Sequence, residues 1–126
     1  MTRRPALLWA GALIVSGCLA PPPAFEVTLR LSPTPPLIGP TRLLVDVTNS
    51  GGSPVSGASV SVSAVPDDLP GRTAIVSIAV DEGAGRYVVP GFDLDLGGPW
   101  TVTVTVSDST GASITRAFPT HVYGGS

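Results

Sequence analysis

The sequence predicts an all-β protein, an antiparallel immunoglobulin-like β-sandwich of about seven strands. Three observations carry that prediction. Beyond residue 24 the apolar residues recur with a period of two, the mark of half-buried strands. No stretch long enough for a stable helix shows a period of 3.6. Clusters of glycine, proline, serine and aspartate break the runs at the spacing of a sandwich. A closed barrel is the alternative architecture.

Phe25, Val27, Leu29 and Leu31 alternate with Glu26, Thr28 and Arg30, predicting a first strand that ends at Pro33-Thr34-Pro35-Pro36. "RLLVDVT", residues 42–48, predicts a second strand, and "NSGGSPVSG" the turn after it. Ala58 to Val65 alternates small polar residues with valine, and Ala74 to Val80 repeats the pattern with Val76, Ile78 and Val80 on one face. The turn "DEGAG" leads into "RYVV". Trp100, Val102, Val104 and Val106 alternate with Thr101, Thr103 and Thr105, and "SDSTG" reads as a hairpin turn into Ala112 to Phe118. Trp100 opens a core-facing row and reads as core rather than as a ligand platform. With one cysteine the inter-sheet disulfide of antibody domains is impossible. Packing must supply the stability, helped by prolines that restrict the unfolded chain.

The first 24 residues have a different grammar. Arg3 and Arg4 precede an apolar run from Ala6 to Val15, then Ser16 and Gly17. That is a charged region, a hydrophobic region and a small-residue processing site. The run is shorter than the roughly 20 residues of a membrane span, so it is read as an export signal. Val15-Ser16-Gly17-Cys18 resembles a bacterial lipobox, which implies diacylglycerol transfer to the Cys18 thiol and cleavage before it. An ordinary signal peptide whose cleavage site contains a cysteine is the alternative. A free thiol at a new N-terminus would be prone to oxidation, and several acyl chains together anchor stably. The expected organisation is a lipoprotein signal peptide over 1–17, the lipidated cysteine and a proline-rich tether over 18–24, and one β-sandwich domain over 25–126. Leu19 to Ala24, "LAPPPA", extends at about 3.1 Å per residue, roughly 20 Å in all. The domain is therefore expected beside a lipid bilayer in the cell envelope. Leu19 after the cysteine resembles lipoproteins sorted to the periplasmic face of the outer membrane, where two membranes exist.

Composition excludes some partners and chemistries. The seven basic residues are all arginine, two of them inside the predicted signal, against nine acids. Nothing in the predicted domain could neutralise a run of phosphates, so nucleic acid is not an expected partner. One histidine, His121, offers little to a nucleophilic serine, and no glycine-rich phosphate loop opens a helix; no enzyme is expected. Asp67 and Asp68 could take Ca²⁺ with backbone oxygens, or form a solvated turn flanked by prolines. Asp93 and Asp95, two apart, would share one face of a strand, as paired carboxylates or as a solvated sheet face. Asp81-Glu82 before Gly83 reads as turn chemistry. His121 falls in the short tail "THVYGGS" and reads as a surface histidine that another chain could complete into a site. No metal site is expected; His121, Asp67 and Asp68 are the only candidates for one.

The segments "GSPVSGASVSVSAVP", "GAGRYVV" and "DLGGPWTVTVTV" are similar in order and spacing to the YtkA-like family of secreted or anchored sandwich domains. The shared pattern is a G-x-P-V-x-G-A-x-V strand entry, a G-x-Y-x-V strand and a G-x-W-x-V-x-V strand. The resemblance covers roughly Pro36 to Ser107. It implies Gly57 and Gly85 in turns and Tyr87 and Trp100 in the core. Members of this family, and similar FixH-like proteins, are associated with copper handling and respiratory oxidase assembly. The implied copper site uses methionine and histidine around an "MP-x-H/M" segment, where this chain has "AVPDDLPGR". The only methionine is Met1 and the only histidine is His121. Cu(I) selects thioether or thiolate and Cu(II) several nitrogens, so the resemblance carries over the fold and not the copper site. The functional expectation is a lipid-anchored, non-enzymatic module that binds or supports a membrane-proximal envelope protein. A copper-linked oxidase-assembly accessory is the alternative, and a structural or sugar-binding spacer is a third reading.

Overall fold

The computed structural model describes residues 25–124, which form eight β-strands and no helix. The expected signal, the Val15 to Cys18 processing site and the tether lie outside the described residues. The strands are β1 (Phe25–Ser32), β2 (Gly39–Asn49), β3 (Ser59–Pro66), β4 (Ile75–Ile78), β5 (Val80–Gly83), β6 (Arg86–Leu94), β7 (Gly98–Ser107) and β8 (Ser113–Val122). They make two four-stranded antiparallel sheets, β1-β2-β6-β5 and β4-β3-β7-β8. Two separate sheets, with edge strands on both, make a sandwich and not a closed barrel.

Alternation builds the core. In β2, Leu43, Val45 and Val47 point inward with no exposed surface, as do Val102, Val104 and Val106 in β7. Each such burial stabilises by about 1.5–3 kcal/mol. Tyr87 and Trp100 are fully buried in the same cluster. Trp100 satisfies its indole by donating from Nε1 to the Leu96 carbonyl at 2.9 Å. Gly57 and Gly85 sit in turns at φ of 76° and 77°, where a side chain is disfavoured.

Four expectations are corrected. The run from Ala74 to Val80 is two strands, because the chain changes sheets at Ala79. The Ala79 amide donates to the Val60 carbonyl at 2.9 Å, while Val80 pairs with Val88 in the other sheet. The row Val76, Ile78 and Val80 faces solvent, at 64%, 69% and 59% exposed. Strands β6 and β8 also run past the segments read for them, "RYVV" and Ala112 to Phe118, and take in Pro90 and Pro119. Pro90 lies in an irregularity, where Thr41↔Phe92 and Leu43↔Val89 differ by one residue. Pro119 lies on an edge strand, where a missing N–H is tolerated. His121 is therefore a strand residue of β8 followed by buried Val122, not part of a tail. Asp81 and Glu82 likewise belong to β5 rather than to a turn.

The two ends of the sandwich differ in role. Phe25, where the described chain enters, pairs with Asn49, and the β7–β8 turn lies at the same end with Ser107 paired to Ser113. The β1 exit, the β3 exit, the β7 start and the β8 exit gather at the opposite end, through Ser32↔Arg42, Pro66↔Trp100 and Gly98↔Val122. At roughly 3.3 Å per residue, the eight residues of β1 separate the ends by about 25 Å.

Candidate functional site

The end opposite Phe25 collects the chemistry. Beyond β3, the Asp67 amide donates to the Pro99 carbonyl at 2.9 Å and extends the β3–β7 pairing by one residue. His121 pairs with Pro99 from the other side, in β8. Directly opposed residues share a face, so Asp67, Pro99 and His121 form a row on the outer face of the sheet. A shallow cleft of about 230 Å³ is lined by these three with Trp100, Pro119 and Thr120. The structure thus brings together two of the three residues singled out as metal candidates. Asp68 lies beside Gly98, whose added Cβ would come within 3.7 Å of its Oδ2.

Asp67 is already engaged, since its Oδ1 accepts from the Thr101 hydroxyl at 2.7 Å. The His121 ring packs on Tyr123, centroids 4.6 Å apart and tilted by 55°. Among the described residues no group of three or more histidine, cysteine, aspartate or glutamate side chains is placed to hold a metal ion. The donor set of the cleft is one imidazole and one carboxylate, with no thioether or thiolate. It fits neither Cu(I) nor the several nitrogens of Cu(II), and Asp67 and Asp68 lie in the turn after β3, closed by the Leu69 amide donating to the Pro66 carbonyl at 3.1 Å.

Beside the cleft, Arg72 lies with its guanidinium carbon 5.7 Å from the Trp100 ring centroid and donates to Asp95 Oδ2 at 2.7 Å. That hydrogen bond holds the Asp95 carboxyl below the ordinary carboxylate range, and Asp95 in turn raises Arg72. Asp93 adds a weaker Coulombic pull on Arg72. Asp93 is the penultimate residue of β6, and Asp95 lies just past the strand end. Of this pair spaced two apart, only Asp95 hydrogen-bonds Arg72. One of its members fastens the β3–β4 connection to the β6–β7 connection.

An apolar rim surrounds these polar groups. Leu37, Leu69 and Tyr123 are each about half exposed, with Ile38 and Leu96 somewhat less so. Main-chain bonds tie one part of the rim together: Ile38 N donates to the Tyr123 carbonyl at 3.0 Å, and Tyr123 N to the Pro36 carbonyl at 2.9 Å. Arg72 N donates to the Leu69 carbonyl at 3.0 Å. Sequence reading missed this rim because its members come from three connections and the segment after β8, far apart in the chain. The one available signal was the placement of single leucines and isoleucines between prolines and glycines, as in "PPLIGP" and "DDLPG". The other exposed apolar row, Val76, Ile78 and Val80, runs along β4 and β5.

No curated protein matches the chain. Among solved structures, the soluble domain of PmoD from Methylocystis sp. ATCC 49242 (Rockwell) is similar in fold, with a TM-score of 0.51 and 16% identity over 79% of this chain and 90% of that one. The model of the family described as YtkA-like matches residues 22–105, which span β1 through most of β7. With its paired glycine turns, buried Tyr87 and buried Trp100 in place, the chain belongs to the YtkA-like family.

Proposed function

We propose that this protein is a lipid-anchored, non-catalytic module of the cell envelope that docks a membrane-proximal protein through the end of its sandwich opposite Phe25. The observation that carries the reading is the division of labour between the two ends. The chain enters at Phe25 after the short proline-rich segment, and the apolar rim of Leu37, Ile38, Leu69, Leu96 and Tyr123 lies about 25 Å away at the other end. An anchored Cys18 would hold the Phe25 end near the lipid and present the rim to neighbours. Loops grouped at one end of a sandwich are where such folds carry recognition, and exposed apolar side chains gathered there fit a site of protein interaction. The Arg72–Asp95 pair over Trp100 gives that end a fixed shape, which lowers the ordering cost of docking.

The test is recovery of the full-length chain with its neighbours after gentle crosslinking in its own envelope, beside Leu69→Asp and Tyr123→Asp. Both positions are half exposed, so the fold survives. Loss of one discrete adduct in both variants is the expected result. A chain recovered alone, or an adduct unaffected by either substitution, overturns the reading.

A second reading is favoured by the family membership and by the meeting of Asp67 and His121 on one cleft: service to copper handling or oxidase assembly. The donors present do not suit copper, so in that setting the chain would act by docking rather than by ligating metal. Titration of Cu(I) and Cu(II) into the full-length chain and His121→Ala separates the two. Stoichiometric binding lost in the variant would restore a metal-carrying role.

A further inference from the structure

Strand β8 has a free edge with an unusual face. On one side it pairs with β7 along its whole length. On the other, the pairing seen among the described residues comes only past its end, where Leu37 bridges Tyr123 in parallel. There Tyr123 N donates to the Pro36 carbonyl and Ile38 N to the Tyr123 carbonyl. Backbone groups of a strand alternate sides, so those of the odd-numbered residues of β8 point outward. Pro119, which has no N–H, falls in that outward set and costs the β7 pairing nothing. Thr115 and Ala117, both exposed, therefore offer outward N–H and C=O groups to an added strand.

The side chains of that edge carry a pattern. Ile114, Arg116 and Phe118 pair with Val106, Val104 and Val102. Those three valines are fully buried, so the β8 trio lies on the core-facing row. Ile114 and Phe118 pack against the core, as do Leu29 and Leu31 of β1. Arg116 is exposed in the middle of that apolar row. The other arginines of the described residues each have a carboxylate within ion-pair distance: Arg30 and Arg86 on Asp46, Arg42 on Glu82, and Arg72 on Asp95. Among the described residues none lies within that distance of Arg116.

We propose that the free edge of β8 accepts an extended strand of a partner protein in which one acidic side chain, flanked two residues away on each side by apolar side chains, lies opposite Arg116. Main-chain bonds to Thr115 and Ala117 would supply the pairing, and the apolar–cation–apolar row would set the register. Charge selects the partner: two copies of β8 paired antiparallel about Ala117 would bring two unpaired Arg116 side chains onto one face as near neighbours, which is destabilising. The site lies beyond the family-matched residues 22–105. It is independent of the rim at the sandwich end, which could dock a partner whether or not β8 is extended.

The experiment uses the full-length chain in detergent micelles with three capped peptides as probes: Val-Thr-Glu-Thr-Val and its glutamine and lysine counterparts at the third position. The glutamate peptide is expected to bind about two- to fivefold tighter than the glutamine peptide, as an exposed ion pair implies, with the preference shrinking in salt. Amide shifts should centre on Thr115 and Ala117. Arg116→Gln should erase the preference and Arg116→Glu should transfer it to the lysine peptide, each with an unchanged melting temperature. No binding at millimolar peptide, equal binding of all three, or shifts confined elsewhere overturns the proposal. A chain that sediments as a dimer through this edge overturns it too. An inward charge can also serve only to keep an edge from self-pairing. If Arg116→Val merely self-associates while the peptide preference persists, Arg116 is such a guard and the proposal falls.

Discussion

The hydroxyl of Tyr87 donates to the Val55 carbonyl at 2.7 Å, from a side chain with no exposed surface. The same oxygen accepts from the Ala58 amide at 3.1 Å. A residue of the first sheet thereby pins the connection that carries the chain into the second. Tyr87→Phe keeps the ring and removes both bonds, leaving a carbonyl and an amide without partners. The expected loss is about 1–3 kcal/mol, read by urea unfolding as a lower midpoint at unchanged slope.

Two turn glycines of the family pattern should differ in how much they matter. An added Cβ at Gly85 would meet the Val47 carbonyl oxygen at 2.6 Å and Pro54 Cβ at 2.9 Å, at a φ of 77°. At Gly57, φ 76°, it would meet nothing within 4 Å. Gly57→Ala is expected to cost about 1 kcal/mol from conformation alone. Gly85→Ala adds a backbone clash and is expected to cost about 2–4 kcal/mol. Parallel unfolding curves check the ranking.

The reversed face of β4 predicts a contrast between valines that look alike in sequence. Val104→Ala empties a fully buried site and is expected to cost about 2–3 kcal/mol. Val76→Thr and Ile78→Thr alter exposed positions and are expected to change stability by no more than about 0.5 kcal/mol. A large loss at Val76 would place that row inside.

Stability should be lost in acid. The Asp81 carboxyl is held below the ordinary range by the Gly57 and Gly83 amides, and Asp95 by Arg72. Asp108 is held low chiefly by the Thr110 hydroxyl. A carboxyl lowered in the fold binds its proton more weakly there than in the unfolded chain. Its contribution is complete above the ordinary carboxylate range, roughly pH 4, and is lost as pH falls through the lowered value. The melting temperature is expected to be flat above about pH 5 and to fall in stronger acid. Asp81→Asn should blunt that fall.

Most of the sandwich was legible because its inward rows are apolar and their partners are serine and threonine, as in Trp100 to Val106. The sheet change at Ala79 was not. Periodicity marks which residues share a face and not which face is covered, and the covering at Val76 to Val80 depends on Val60 and Val88, far away in the chain. The continuation of β6 and β8 through Pro90 and Pro119 was not legible either, because a strand edge is known only once its neighbours are. Of the candidate site, Asp67, Asp68 and His121 were legible as residue types. The meeting of Asp67 and His121 across Pro99, and the rim around them, arise from strand register that the local sequence does not state.

The most direct measurement puts a photo-crosslinking side chain at Leu69, and separately at Glu26 beside the chain entry, in the full-length protein in its own envelope. Docking through the end opposite Phe25 predicts a discrete protein adduct of defined mass from Leu69 and none from Glu26. An adduct from Glu26 with none from Leu69 would contradict the account.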